Sequence, residues 1–106
     1  MKRPEIVQQI KETIRRTAPD AKTILYGSEA RGDAKSDSDI DLLILLDRDR
    51  QHLSIAEEQS IIEPLSDIEL NTGIIISTTI MLAKDWNKRP FKTPFYLNII
   101  NEGITL

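Results

Sequence analysis

The chain has no cysteine in its 106 residues, which removes both disulfides and thiolate metal sites. It has no apolar run near the ~18 residues that crossing a bilayer takes. It opens on Met1-Lys2-Arg3 and continues polar and charged, so neither a membrane span nor a signal peptide is expected and a cytoplasmic location is the default. A dominant basic excess is also missing. The formal net charge is −3, whereas a nucleic-acid binder usually carries a clear basic surplus, and that function class is disfavoured. The charge is unevenly spread. Between Glu29 and Asp41, the acids Glu29, Asp33, Asp37, Asp39 and Asp41 face only Arg31 and Lys35. The first sixteen residues instead set Lys2, Arg3, Lys11, Arg15 and Arg16 against Glu5 and Glu12, a balance expected of a solvated helix face. Histidine occurs once, as His52 just past a charged turn, and reads as a surface residue. Aromatic residues are few. Trp86, Phe91, Phe95 and Tyr96 crowd the last third, where packing against a sheet is their expected use.

What remains is an ordinary composition, 40% apolar, in a length that suits one domain over 1–106 with a real core. Pro4 suits the first turn of a helix, and Ile6, Ile10 and Ile14 recur every four residues after it. Pro19 ends that helix near Ala18-Pro19-Asp20. Thr23 to Tyr26 is a short β-rich run stopped by Gly27. Ile40 to Leu46 is nearly continuous apolar sequence, the pattern of a strand buried on both faces, and Asp47-Arg48-Asp49-Arg50 marks its exit to solvent. From Ser54 to Thr72, Ile61, Leu65 and Ile68 share a helical face, with Pro64 expected to kink or divide the helix. Gly73 should stop it before a third strand, Ile74 to Ile80. A short helix follows around Ala83 to Lys88. Thr93-Pro94 then sets up a last helix to about Asn101-Glu102-Gly103. The order αββαβα implies an α/β (α+β) domain in which a small mixed β-sheet is packed by helices.

Two clusters carry chemistry. Gly27 follows a strand and Gly32 lies five residues later, so the backbone between them can turn sharply and approach an anion, with the Ser28 hydroxyl alongside. The spacing imitates the first part of a P-loop, but Asp33-Ala34 stands where Lys-Ser/Thr is required, which rules that motif out. Ten residues after Ser28 come Asp39-Ile40-Asp41. Alternation puts both carboxylates on one face of the strand, about 7 Å apart along the chain. Paired carboxylates suit a hard cation such as Mg²⁺, which completes its shell with water and phosphate oxygens. Two acids opening an apolar strand would repel one another without such a cation. A calcium loop is excluded, because counting from Asp37 the sixth position is Leu42 instead of Gly and the twelfth is Arg48 instead of Glu.

Gly27-Ser28, ten intervening residues and Asp39-Ile40-Asp41 resemble the hallmark of the DNA polymerase β nucleotidyltransferase superfamily. Arg31-Gly32 and Ser38-Asp39-Ile40-Asp41 resemble its small prokaryotic members, the minimal nucleotidyltransferases, over Tyr26 to Leu46. The ending Phe95 to Ile104 is similar to their C-terminal helix. The resemblance implies the nucleotidyltransferase fold and transfer of a nucleoside monophosphate, usually AMP from ATP, to an acceptor hydroxyl. Gly27, Ser28, Arg31 and Gly32 would bind the nucleotide, and Asp39 and Asp41 would be catalytic and hold Mg²⁺, one ion or two. Arg31 would either neutralise phosphate or pair with Asp33 or Glu29. The family usually has a third acid on the next central strand, as metal ligand and general base. No acid lies in Gly73 to Ile80; Ser77 or Thr78 occupies that place, and Glu69 reaches the site only if the strand boundary lies elsewhere. Loss of a general base typically costs about 10²–10⁴ in rate while leaving binding intact.

Two functions compete. One is a Mg²⁺-dependent enzyme whose acceptor is a protein or another large molecule; short relatives pair with a helical HEPN toxin, which would then be partner and acceptor. The other is a catalytically weak, nucleotide-binding antitoxin subunit that neutralises that partner by binding. Homo-oligomerisation is left open by the sequence.

Overall fold

The computed structural model describes residues 2–88 and 93–106. Phe91, one of the four aromatics singled out above, lies outside the described residues. Helix α1 spans Pro4–Thr17, with proline in its first turn as expected, and buries Val7, Ile10, Thr13 and Ile14. Strand β1, Ala21–Tyr26, runs into a five-residue helix α2, Gly27–Arg31. Strand β2, Ile40–Leu46, coincides with the apolar run. Helix α3, Ile55–Thr72, starts at a Ser54–Glu57 capping box and ends at Gly73. It passes undivided through Pro64. An internal proline costs roughly 3 kcal/mol, and burial of Ile61, Leu65 and Ile68 on the core offsets this at roughly 1.5–3 kcal/mol each.

Strand β3, Ile76–Leu82, begins two residues later than the sequence suggests, and α4 follows at Ala83–Asn87. Helix α5, Pro94–Glu102, is capped by the Thr93 hydroxyl, which accepts from the Tyr96 amide at 3.2 Å. A two-residue strand β4, Ile104–Thr105, closes the chain. Elements α2 and β4 are additions to the expected order. Both are too short to show a period of their own.

The sheet order is β3-β2-β1-β4, with β1 antiparallel to β2 and β4 and β2 parallel to β3 through the α3 crossover. The sheet is therefore mixed. The two faces of β2 divide the core. Leu42, Ile44 and Leu46 pack with Ile10, Ile14, Ile61 and Leu65 under α1 and α3. Leu43 and Leu45 pack with Ile24, Trp86 and Ile99 under α4 and α5. There the Phe95 ring meets Tyr26 edge-on at 5.5 Å and Trp86 edge-on at 6.1 Å, so the described C-terminal aromatics do serve as core. Because side chains alternate along a strand, Asp41 shares a face with Leu43 and Leu45, the face covered by α5.

Candidate functional site

Asp41 opens the central strand, paired across the sheet with Tyr26 on β1 and with Ser77 on β3. Gly27, next after Tyr26, lies directly against it. A Cβ added at Gly27 would stand 3.2 Å from Asp41 Cγ and inside van der Waals contact of Oδ2. The Gly27 backbone also sits at a φ of +73°, a left-handed conformation that L side chains resist. Glycine is thus required there twice, by conformation and by the carboxylate it touches. Gly32, at φ +83°, closes α2 with its N–H on the carbonyls of Ser28 and Glu29. The Asp33 amide bonds the Ser28 carbonyl as well, at 3.1 Å. The result is a tight loop with half-buried Ser28 at its mouth.

Asp39 lies just outside β2 and is exposed, while Asp41 is half-buried. Burial raises the Asp41 carboxyl above its ordinary value, the Asp39 and Glu102 charges push it further up, and Arg31 opposes them. Three groups from separate parts of the chain therefore act on Asp41. Tyr26, beneath, is raised by burial, is hydrogen-bonded to Thr79 and also feels Asp41.

Arg31 pairs with Asp33 (Nε–Oδ2, 3.2 Å) and with Glu102 (Nη1–Oε2, 3.1 Å). Its expected partner Glu29 points elsewhere, fully buried against Arg3. Glu102 also accepts the Gly27 amide at 3.2 Å. Its carboxylate thus takes two groups that could receive an anion in the turn, one backbone N–H and one guanidinium. Sequence reasoning gave Glu102 no role. The available signal was that it is the only charged residue of α5. Glu69, the other candidate acid, is spent at the start of β3, accepting the Ile76 amide at 2.8 Å. Ser77 stands beside Asp41 in the position where a third acid was sought. Among the described residues no cluster of three His, Cys, Asp or Glu is arranged around a metal-sized space. The six residues singled out from the sequence all fall at this one end of the sheet, in α2, its flanking turns and the entry to β2.

A family model, the nucleotidyltransferase domain, matches residues 7–94 of the chain, spanning α1 through the start of α5. The chain belongs to the nucleotidyltransferase family. Two curated proteins of Methanocaldococcus jannaschii, each named "Putative protein adenylyltransferase", are similar to this nucleotidyltransferase. One is 34% identical over 102 residues, covering 94% of both chains. The other is 33% identical over 85 residues, covering 80% of this chain and 76% of the relative. A crystal structure from Sulfolobus solfataricus, titled as that of a "putative nucleotidyltransferase", shares the fold. Its TM-score is 0.57 at 15% identity, over 95% of this nucleotidyltransferase and 76% of the other chain. The fold and the enzyme class expected from Gly27-Ser28 and Asp39-x-Asp41 both hold.

Proposed function

We propose that this nucleotidyltransferase moves AMP from ATP to a hydroxyl on a protein, using a divalent cation held by Asp39 and Asp41. The observation that supports the reading is the close approach of Gly27 to the Asp41 carboxylate, which brings the Gly27-Ser28 turn beside the proposed cation ligand. The protein acceptor is supported by the names of the two curated relatives. The donor set fits a hard cation. Asp39 and Asp41 offer only oxygen ligands, and a cation would offset both the burial that chiefly raises the Asp41 carboxyl and the Asp39 charge that adds to it. Mg²⁺ is commonly held by one or two carboxylates, with water and phosphate supplying the rest.

In the reaction, the acceptor oxygen attacks the α-phosphorus of ATP, the bond to the β-phosphate oxygen breaks, and pyrophosphate leaves. The hydroxyl proton passes to solvent base or to a phosphate oxygen, since Ser77 and not a carboxylate stands beside Asp41 on β3. A bound cation would supply Lewis-acid stabilisation of the charge developing on the phosphoryl oxygens. The turn from Gly27 to Gly32 positions the outer phosphates, and Arg31 offers its guanidinium to them once Glu102 yields it. Tyr26, which pairs with Asp41 across the sheet, meets Phe95 edge-on at 5.5 Å, and Asp41 is half-buried.

Incubation with labelled ATP, Mg²⁺ and candidate protein acceptors should transfer label. Asp39→Asn and Asp41→Asn should each abolish it. Transfer that survives both substitutions would defeat the reading. Ser77 in place of an acid favours a second reading, a binding subunit that neutralises a HEPN-type helical partner with little turnover. The two separate cleanly. Under the second, a variant carrying both Asp39→Asn and Asp41→Asn still neutralises the partner in full.

A further inference from the structure

Glu29 and Arg3 form a buried ion pair next to the site, and neither has a role in the reaction above. Glu29 is fully buried on α2, immediately after Ser28. Its Oε2 accepts the backbone amides of Lys2 (2.6 Å) and Arg3 (2.8 Å), and its Oε1 accepts Arg3 Nε at 2.7 Å. Burial pushes the Glu29 carboxyl up. The bonds from the Arg3 side chain and from the Arg3 and Lys2 amides outweigh it, so Glu29 lies below its ordinary value and is ionised. Arg3 is the N-cap of α1, and its side chain is 11% exposed. Its Nη1 donates to the Ser38 carbonyl at 2.6 Å and lies 3.5 Å from the Ser36 carbonyl.

The Ser38 carbonyl belongs to the peptide that leads into Asp39. On the other side of Asp39, the Ile40 amide bonds the Ile75 carbonyl at 2.9 Å. Asp39 itself is exposed and follows a turn in which the Ser38 amide bonds the Lys35 carbonyl at 3.1 Å, and the two bonds to its flanking peptides help fix its backbone. One of them comes from Arg3. The same guanidinium holds Glu29, one residue from Ser28, and therefore ties the nucleotide turn to the metal-binding loop. Folding alone is a poor reason for this arrangement. A buried ion pair typically adds little over an apolar pair of similar volume, and among the described residues Arg3 Nη2 is buried with no partner. A five-donor planar fork is, however, well suited to holding a carboxylate and a loop carbonyl at fixed relative position.

We propose that Arg3, oriented by Glu29, is a positioning residue that sets Asp39 relative to the Gly27-Ser28 turn and so fixes the affinity of the site for its divalent cation. This rests on the metal-binding reading of Asp39 and Asp41. Arg3→Lys keeps the charge opposite Glu29 but cannot span Glu29 and the Ser38 carbonyl together. Arg3→Met combined with Glu29→Gln removes both charges at once, so neither is left buried alone, and the glutamine oxygen still receives the backbone amides. Mn²⁺ binding, read by calorimetry or by paramagnetic resonance of the free ion, is measured alongside thermal unfolding for wild type, both variants and Asp39→Asn. Both variants should stay folded, and their Mn²⁺ affinity should fall by about 10-fold or more, the scale on which outer partners of metal ligands act. Mn²⁺ affinity equal to wild type in a folded variant, with Asp39→Asn impaired, would overturn the positioning role and leave the metal site standing. Equal Mn²⁺ binding by wild type and Asp39→Asn would overturn the metal site, and this role with it.

Discussion

Replacing Gly27 by alanine perturbs the site at its tightest point, and two separable costs follow from the structure. The first is conformational. At φ +73° an L residue pays about 1–2 kcal/mol that glycine does not. The second is steric. The new methyl would overlap Asp41 Oδ2 and press on Cγ from 3.2 Å, and overpacking of this kind costs about 1–3 kcal/mol. Gly27→Ala should therefore destabilise the domain by about 2–5 kcal/mol, measured by urea unfolding. In a background carrying Asp41→Ala the offending oxygen and Cγ are gone. The remaining Cβ lies 3.5 Å away, an ordinary contact. There Gly27→Ala should cost only the conformational part. The double-mutant cycle should thus give a coupling of about 1–3 kcal/mol between positions 27 and 41. Equal losses in the two backgrounds would refute the claim that Gly27 is required by its contact with Asp41.

Two further outcomes are expected. Glu102→Gln frees Arg31 and removes a negative charge from beside Asp41, so the KM for nucleotide should fall by about two- to five-fold, the scale of an exposed ion pair; a raised KM would show that Glu102 assists binding instead of occupying it. Glu29 has a folded value below 4.5, so the native state binds fewer protons than the unfolded chain, and its stabilisation is present above pH 4.5 and lost as pH falls through the lower folded value. Asp41, raised above 3.8, works in the opposite sense just above that pH and offsets part of the loss. Thermal unfolding of Glu29→Gln should accordingly be less stable near neutrality and flatter with pH below 4.5 than wild type, whereas parallel profiles would contradict the assignment.

Local chemistry made most of the scaffold legible before any coordinates. Pro4, Gly73 and Thr93-Pro94 act on the residues beside them, and each bounds a helix where its stereochemistry requires. The Ile40–Leu46 run could be read because a strand covered on both faces has no polar alternation to hide in. The start of β3 was harder, since Ile74 and Ile75 extend the apolar run without joining the ladder. Ile75 is 60% exposed and contributes only its carbonyl, to Ile40. At the site, the turn and the two aspartates declared themselves by spacing along the chain. The groups that tune them did not. Glu102 reaches Arg31 from 71 residues away, and Arg3 reaches Glu29 from 26. No periodicity links residues at such separations; the packing of α5 over β1 and α2, and of α1 over β1, brings them together.

Nucleotidyl transfer is defined by which bond of the nucleotide is broken. Parallel reactions with ATP labelled at the α-phosphate or at the γ-phosphate, with Mg²⁺ and a protein acceptor, measure this directly. The α-label should become covalently attached to the acceptor, with release of pyrophosphate and dependence on Asp39 and Asp41, and the γ-label should not. Attachment of the γ-label instead, or α-label transfer indifferent to Asp39→Asn and Asp41→Asn, would contradict the assignment of this site.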